Sequence, residues 1–220
     1  MKKAAAAEDL SAKKELALQV IDRLKTEYPD AACTLDYDHA WQLLVSVRLA
    51  AQCTDARVNI VVQDLFAKYP NVAALAAAEP EEIEAIVKPC GLGRSKARDI
   101  SACMRVLRDK YNCKVPTTFE ELLALPGVGA ETADVILVYA FYKPSFILDA
   151  YTRRWLTRLG FDADDDGRRL FFESGLPRDA ALYGRFHWLI LDHCIARCRK
   201  TPCCAGCPFA DECKAPNPNV

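Results

Sequence analysis

Apolar side chains recur at helical spacing along most of the chain. In the first such stretch they recur every three or four residues until Pro29 ends the predicted helix; they are Ala17, Val20, Ile21, Leu24 and Tyr28. A more continuous apolar run over 41–51 predicts a helix buried on all sides. No convincing alternation of apolar and polar residues, the mark of a half-buried strand, appears elsewhere. The pattern therefore predicts an all-α fold.

Polar residues mark the starts of several predicted helices. Thr54 is a predicted N-cap. The helix after it carries an inward apolar face formed by Val58, Val61, Val62, Leu65 and Phe66. Pro80 suits a first helical turn, and Thr118 with Glu121 has the spacing of a capping box. The apolar run over 135–141 is compatible with a buried strand, but its continuity with a glycine-rich turn favours a helix.

Composition limits the class of protein. The chain has 220 residues, of which 51% are hydrophobic, enough for one domain or two small ones with a real core. No uninterrupted apolar stretch is long enough to cross a membrane. A formal net charge of −1 argues against a protein that coats nucleic acid by bulk charge, although a local basic face is compatible with it.

Six of the 11 cysteines crowd into residues 194–213, as thiolates around one inorganic centre would. Zinc, which also accepts four thiolates, is the alternative, but zinc sites more often pair two Cys-x-x-Cys units and this segment has one. A secreted disulfide protein is disfavoured by the length and by the lack of a long apolar run at the start. We predict a [4Fe–4S] cluster on Cys198, Cys204, Cys207 and Cys213, with Cys194 or Cys203 able to replace one of them. The other five cysteines, predicted to fill core space, are Cys33, Cys53, Cys90, Cys103 and Cys113.

A glycine hairpin, Leu-Pro-Gly-Val-Gly at 125–129, precedes a predicted helix and is weakly repeated from Gly91. Glycines leave no side chain over the backbone amides, and amides at a helix N-terminus attract phosphate oxygens. Such a hairpin would hold DNA by its backbone, whereas an ordinary helix–helix turn is the alternative. Beyond a break at Pro144, Asp149 is an isolated carboxylate that suits either catalysis or an N-cap.

Together these motifs resemble the endonuclease III group of helix-hairpin-helix DNA glycosylases. The matching segments are 49–55, 91–96, 125–129, 148–149 and 186–191, in the family's order, and the cysteines end in the family's Cys-x-x-Cys-x5-Cys pattern. The resemblance implies a six-helix barrel over 32–145. It implies a second domain, built from 1–31 and 146–220, that carries the [4Fe–4S] cluster. We expect a cytoplasmic monomer with no membrane partner, associated with the nucleoid if the source is bacterial.

The resemblance also implies a reaction and its residues. A lesion-containing double-stranded DNA would lie across the cleft between the domains, and the damaged base would be turned out of the helix before its N-glycosidic bond is cut. Phosphate would bind the hairpin at Gly127, Val128 and Gly129, with a monovalent cation between hairpin carbonyls and DNA.

Gln52, Leu92 and Tyr151 match the positions that fill the gap left in the DNA by the turned-out base, although Tyr151 stands where the nearest relatives have histidine. A core contact is the alternative for Leu92. Asp149 matches the catalytic carboxylate.

Glu131 departs from the family pattern. Bifunctional members have a lysine at this position, whose amine forms a Schiff base with the sugar, and a carboxylate cannot do so. The expected enzyme is therefore a monofunctional glycosylase, with water as the nucleophile activated by Asp149. Glu131 beside Asp149 would raise one of the two pKa values and could serve as an acid. The alternatives are a lyase that uses another lysine, such as Lys96, or a lesion-binding protein without catalysis. Arg48, within an apolar run, is either a pocket contact or a salt-bridged core residue.

Overall fold

Every regular element in the described part of the chain is helical. The computed structural model describes residues 15, 17–161 and 163–214. The helices are α1 (17–27), α2 (Ala40–Ala50), α3 (Asp55–Lys68), α4 (Val72–Ala77), α5 (Pro80–Val87), α6 (Gly93–Tyr111), α7 (Phe119–Leu123), α8 (Ala130–Phe141), α9 (Ala150–Leu159), α10 (Asp165–Gly175) and α11 (Ala180–Ala196), with a 3₁₀ turn at Lys88–Cys90. The all-α prediction is confirmed. No helix in these residues is long and apolar enough to cross a membrane.

The described residues form two compact units. The barrel unit is Thr34–Tyr142, and the second unit joins the residues up to Cys33 with those from Lys143 onward. The predicted domains were 32–145 and the pair 1–31 with 146–220. Their outermost segments, 1–14 and 215–220, lie outside the described residues.

The barrel unit encloses one apolar core. α2 contributes Leu43 and Leu49, both fully buried, so the nearly continuous apolar run here does mark an enclosed helix. α8 is a helix in which every residue from 133 to 138 is buried, and the strand alternative for 135–141 is therefore wrong. Thr54 caps α3 by accepting a hydrogen bond from the Arg57 amide, as predicted.

Two of the five cysteines predicted to fill the core do so. Cys90 and Cys103 are buried and Cys33 and Cys53 are half-buried, whereas Cys113 is exposed. Cys113 follows the end of α6 at a left-handed φ of 61°, outside the helical periodicity that would have turned it inward.

The second unit is organised by aromatic rings. Phe146 stacks on Phe172 at a centroid distance of 4.6 Å, and Trp155 of α9 meets the edge of Phe209 at 5.5 Å. Phe209 is 2% exposed and belongs to the cysteine-rich segment 197–214, which we call the cysteine loop. The loop is thereby packed against α9, the helix that begins next to Asp149.

Candidate functional site

Two exposed side chains of the barrel unit stand on loops with left-handed backbone. Gln52, between α2 and α3, has φ 58°, and Leu92, between the 3₁₀ turn and α6, has φ 51°. Such angles are unfavourable for residues other than glycine, and they concentrate at functional sites. Leu92 is 58% exposed, so the alternative that it is a core contact is wrong. Both side chains are therefore available to a ligand.

A buried anchor and two glycines define the backbone of the hairpin. Leu125 is 2% exposed and anchors the turn, and its carbonyl accepts a hydrogen bond from the Val128 amide at 3.2 Å. Gly127 has φ +74°, and a Cβ there would lie 2.7 Å from the Cβ of Asp99. Gly129, the N-cap of α8, has open space around its Cβ position. No side chain therefore covers the backbone at Gly129, where the N-terminal end of α8 opens.

Arg48 supports this hairpin indirectly, through Asp99. Its Nε donates to Asp99 Oδ2 at 2.9 Å, and Asp99 in turn sits where a side chain on Gly127 would be. The cavity that Arg48 lines with Asp99 and Gly127 has a volume of about 10 Å³, room for about one water molecule. The salt-bridge interpretation of Arg48 is confirmed by its ion pair with Asp99.

Neither position considered for a lysine nucleophile presents an accessible amine. Glu131 lies exposed in the first turn of α8, where a negative charge suits the helix dipole. Lys96 is 0% exposed, and its Nζ donates to the carbonyl oxygens of Leu49 and Cys90, both at 2.8 Å. Burial lowers the pKa of Lys96. An ammonium engaged in this way is not presented to a sugar.

In the second unit, Asp149 is a buried N-cap. It is 5% exposed and accepts a hydrogen bond from the Thr152 amide at 2.6 Å. Its Oδ2 lies 3.6 Å from Nε2 of His187 on α11. Burial by itself would raise the pKa of Asp149, but His187 and Thr152 more than offset burial and lower it. The N-cap alternative is confirmed, and the carboxylate is held ionised.

Tyr151 follows Asp149 in the first turn of α9. It is 39% exposed, and the Arg154 guanidinium lies 4.9 Å from its ring centroid. Nε of Arg154 also donates to the Cys198 carbonyl at 3.0 Å. One helix thus carries a buried carboxylate, an exposed aromatic ring and a contact with the cysteine loop.

The cysteine loop carries the four predicted thiols. Burial raises the pKa of Cys207, and the nearby Cys204, Cys198 and Cys213 raise it further. Cys203 is exposed, whereas Cys194 is buried beside Cys198. The Cys207 amide donates to the Cys204 carbonyl at 3.0 Å, a turn that suits a Cys-x-x-Cys pair.

Positive charge surrounds the first of these thiols. Arg158 of α9 donates to Sγ of Cys198 at 3.1 Å and to the carbonyl of Arg199 at 2.7 Å. The hydrogen bond from Cys194, followed by that from Arg158, lowers the pKa of Cys198 to about 6. Four thiols in one loop, one of them favoured as a thiolate, have the chemistry of the donor set of a [4Fe–4S] cluster. In the residues described, no group of three or more His, Cys, Asp or Glu is already arranged at metal-binding distances.

Known proteins are similar in sequence to most of this chain. The family model of the HhH-GPD superfamily base excision DNA repair proteins matches residues 45–174. Endonuclease III of Synechocystis sp. is 36% identical over 206 residues, which are 93% of this chain and 94% of that protein. The chain belongs to the endonuclease III family. It is a base excision repair DNA glycosylase of that family.

Solved structures of the endonuclease III family share the fold as well. A non-covalent endonuclease III–DNA complex aligns with a TM-score of 0.83 at 34% identity, over 91% of this chain and 95% of that chain. A trapped covalent intermediate of endonuclease III with DNA aligns with the same score, identity and coverage. The helix-hairpin-helix glycosylase fold predicted from the sequence is thereby confirmed.

Sequence reasoning missed two residues of this endonuclease III family site. His187 lies in the 186–191 motif but was not predicted as a site residue. Its contact with Asp149 is made by packing between residues far apart in sequence. Arg158 lies one helical turn after Arg154, and that spacing could have indicated that both reach the same loop.

Proposed function

We propose that this endonuclease III family glycosylase is monofunctional: it releases a base from lesion-containing double-stranded DNA with water as the nucleophile. The observation that carries the proposal is Glu131 in the first turn of α8, the position of the Schiff-base lysine in bifunctional relatives. A carboxylate cannot form an imine, and the ammonium of Lys96 is buried against two carbonyls. A covalent intermediate with DNA was trapped for a 34% identical endonuclease III, and we expect none here.

Asp149 supplies the charge that base release needs. A carboxylate whose pKa is lowered stays ionised at neutral pH, so it can stabilise positive charge developing on the sugar or take a proton from the attacking water. The Thr152 amide and His187 fix its position, and fixed charge in a buried place is more effective than charge in water. We assign Glu131 a secondary role in catalysis, as a candidate general acid.

The protein binds the DNA through the phosphate backbone, and side chains fill the gap that the flipped nucleotide leaves. We assign phosphate binding to Gly127, Val128 and Gly129, with a monovalent cation at their carbonyls, and this assignment is supported by the open space beside Gly129 at the N-terminal end of α8. The exposed Gln52 and Leu92, on strained loops, would occupy the space left by the flipped nucleotide. The exposed ring of Tyr151 is assigned to DNA contact by stacking, in place of the more usual histidine.

A [4Fe–4S] cluster would be held by Cys198, Cys204, Cys207 and Cys213. Bound there, it would supply four metal–thiolate bonds that fasten the cysteine loop. Arg158, whose hydrogen bonds to the loop carbonyls and to Cys198 are already formed, would balance part of the negative charge of the thiolates.

The Asp149→Asn variant tests the catalytic assignment. Because the lost charge matters mainly in the transition state, base release should fall by about 100-fold or more while duplex affinity stays within about twofold. Single-turnover base release and a binding titration measure the two effects. Asp164→Asn is the matched control, since Asp164 is likewise an N-cap aspartate, at α10, and this change should alter neither. Undiminished base release by Asp149→Asn would contradict the assignment. Binding of abasic DNA without base release from any lesion would instead support a non-catalytic protein.

A further inference from the structure

Lys96 links the two loops that carry Gln52 and Leu92. Its side chain donates to the carbonyl of Leu49, in the last turn of α2 before Gln52, and to the carbonyl of Cys90, just before Leu92. Its backbone amide donates to the Leu92 carbonyl at 3.0 Å. A single residue thus ties the Leu92 loop at two points and the Gln52 loop at one.

Both loops need such support. Gln52 and Leu92 have φ values of 58° and 51°, and an exposed residue other than glycine keeps this backbone only when its surroundings impose it. The side chains themselves are exposed, so the restraint comes from the backbone on either side of them. The Leu49 and Cys90 carbonyls are parts of that backbone.

The side chain of Lys96 supplies the donor for two backbone carbonyls, so it contributes to stability as well as to the position of the loops. The charge is fully buried, and apart from these carbonyls it interacts with the thiols of Cys53 and Cys90 and with another cation, Arg48. An apolar side chain of similar volume would remove the buried charge but would also leave both carbonyls without this donor. What an apolar side chain cannot do is hold two separate carbonyls at one point.

We propose that Lys96 is a positioning residue that fixes the distance between the Gln52 loop and the Leu92 loop, so that both side chains enter the gap beside a flipped base together. This inference rests on the proposed gap-filling role of those two residues. Lys96 does not touch DNA, and it acts only through the two loops.

The test compares two variants of α6, each of which loses one basic side chain. Lys96→Met removes the link, whereas Arg105→Met removes a cation that donates to the carbonyls of Ala76 and Ala78, away from both loops. Lys96→Met should keep its helical circular dichroism and its affinity for undamaged duplex. Its base flipping, followed by 2-aminopurine fluorescence beside the lesion, and its single-turnover base release should fall by about 10-fold or more. Arg105→Met should change neither of these two readouts.

A double-mutant cycle separates the link from the gap-filling role. Leu92→Ala should slow base release in the wild type but cost much less in Lys96→Met, because the link acts through Leu92. If Leu92→Ala and Gln52→Ala are harmless in the wild type, the gap-filling proposal fails. If they are harmful but fully additive with Lys96→Met, or if Lys96→Met flips bases normally, the link proposal fails. Lys96→Gln, which keeps a donor, is the second variant if Lys96→Met does not fold, and it should retain intermediate flipping.

Discussion

The carboxylate of Asp149 is kept ionised by two neighbours that oppose its burial, and this makes a prediction for pH. A lowered pKa means that the active, ionised form is present above the folded pKa and is lost as pH falls through it. His187→Phe removes the main lowering influence and leaves burial, so the pKa of Asp149 should rise. The acid limb of the base-release profile should therefore move to higher pH.

The pH profile has its own control. Cys194 also faces Asp149, but its raised pKa keeps it a neutral thiol over this range. His39→Asn changes an N-cap histidine of the barrel unit and should leave the acid limb where it is in the wild type. An unmoved limb in His187→Phe would show that His187 does not set the charge of Asp149.

At the residue scale, the sequence predicts which side chains are functional more reliably than it predicts the role of each one. Asp149 could be recognised as both a carboxylate of interest and an N-cap, because local spacing decides the second. Lys96 was open to interpretation as a nucleophile, since nothing in its neighbours along the chain predicts complete burial. The contact between His187 and Asp149 depends on the packing of α11 near the start of α9, and no local pattern encodes it.

At the scale of an element, phosphate binding by the hairpin can be tested with a glycine-to-alanine substitution, which adds a single methyl group. Gly129→Ala meets open space at a φ of −99°, so the fold should be kept while the methyl group stands beside the amides that would meet phosphate. Affinity for damaged and undamaged duplexes should fall together, by about threefold or more, and the salt dependence of binding should persist. Loss of lesion preference alone would contradict the role of the hairpin as a phosphate clamp.

Gly127→Ala provides the structural comparison. Here the methyl group would meet Asp99 and the φ of +74° would be strained, so we expect a loss of stability of about 1 kcal/mol or more in addition to weaker binding. Thermal unfolding measures the difference between the two variants.

Helices were predictable as elements wherever periodicity and caps agreed. α3 begins at the predicted Thr54 cap, and α8 follows the glycine hairpin directly. The ambiguity over 135–141 arose because a helix that is buried all round has no polar face and reads like a buried strand. The left-handed backbone of Leu92 was not predictable from residue type, since leucine rarely takes it.

At the scale of the whole molecule, the cysteine loop is expected to depend on its metal centre. Cys207→Ser should remove the brown colour of a [4Fe–4S] protein and loosen the loop, because three thiolates hold a cluster less well than four. Cys194→Ser is the matched control on the neighbouring helix and should keep the colour. Loss of colour only in Cys194→Ser would show that Cys194, not Cys198, is the first ligand, and a colourless wild type that contains zinc would replace the cluster assignment.

The fold of the whole chain was accessible from the sequence because the motifs stand in the family's order over most of its length. The substrate was not, because the lesion is selected by the shape of a pocket and only its candidate lining residues can be read from the chain. A lesion panel of oxidised pyrimidines, uracil and thymine opposite guanine, and alkylated purines would identify it.

Strand breakage by the unmodified protein on that panel tests the monofunctional assignment most directly. With Glu131 in place of the lysine and Lys96 buried, the protein should release a base and leave an intact abasic site. The strand should then break only after alkali, and borohydride should trap no protein–DNA adduct. Strand breakage without alkali, together with efficient borohydride trapping, would contradict the account and show that another amine attacks the sugar.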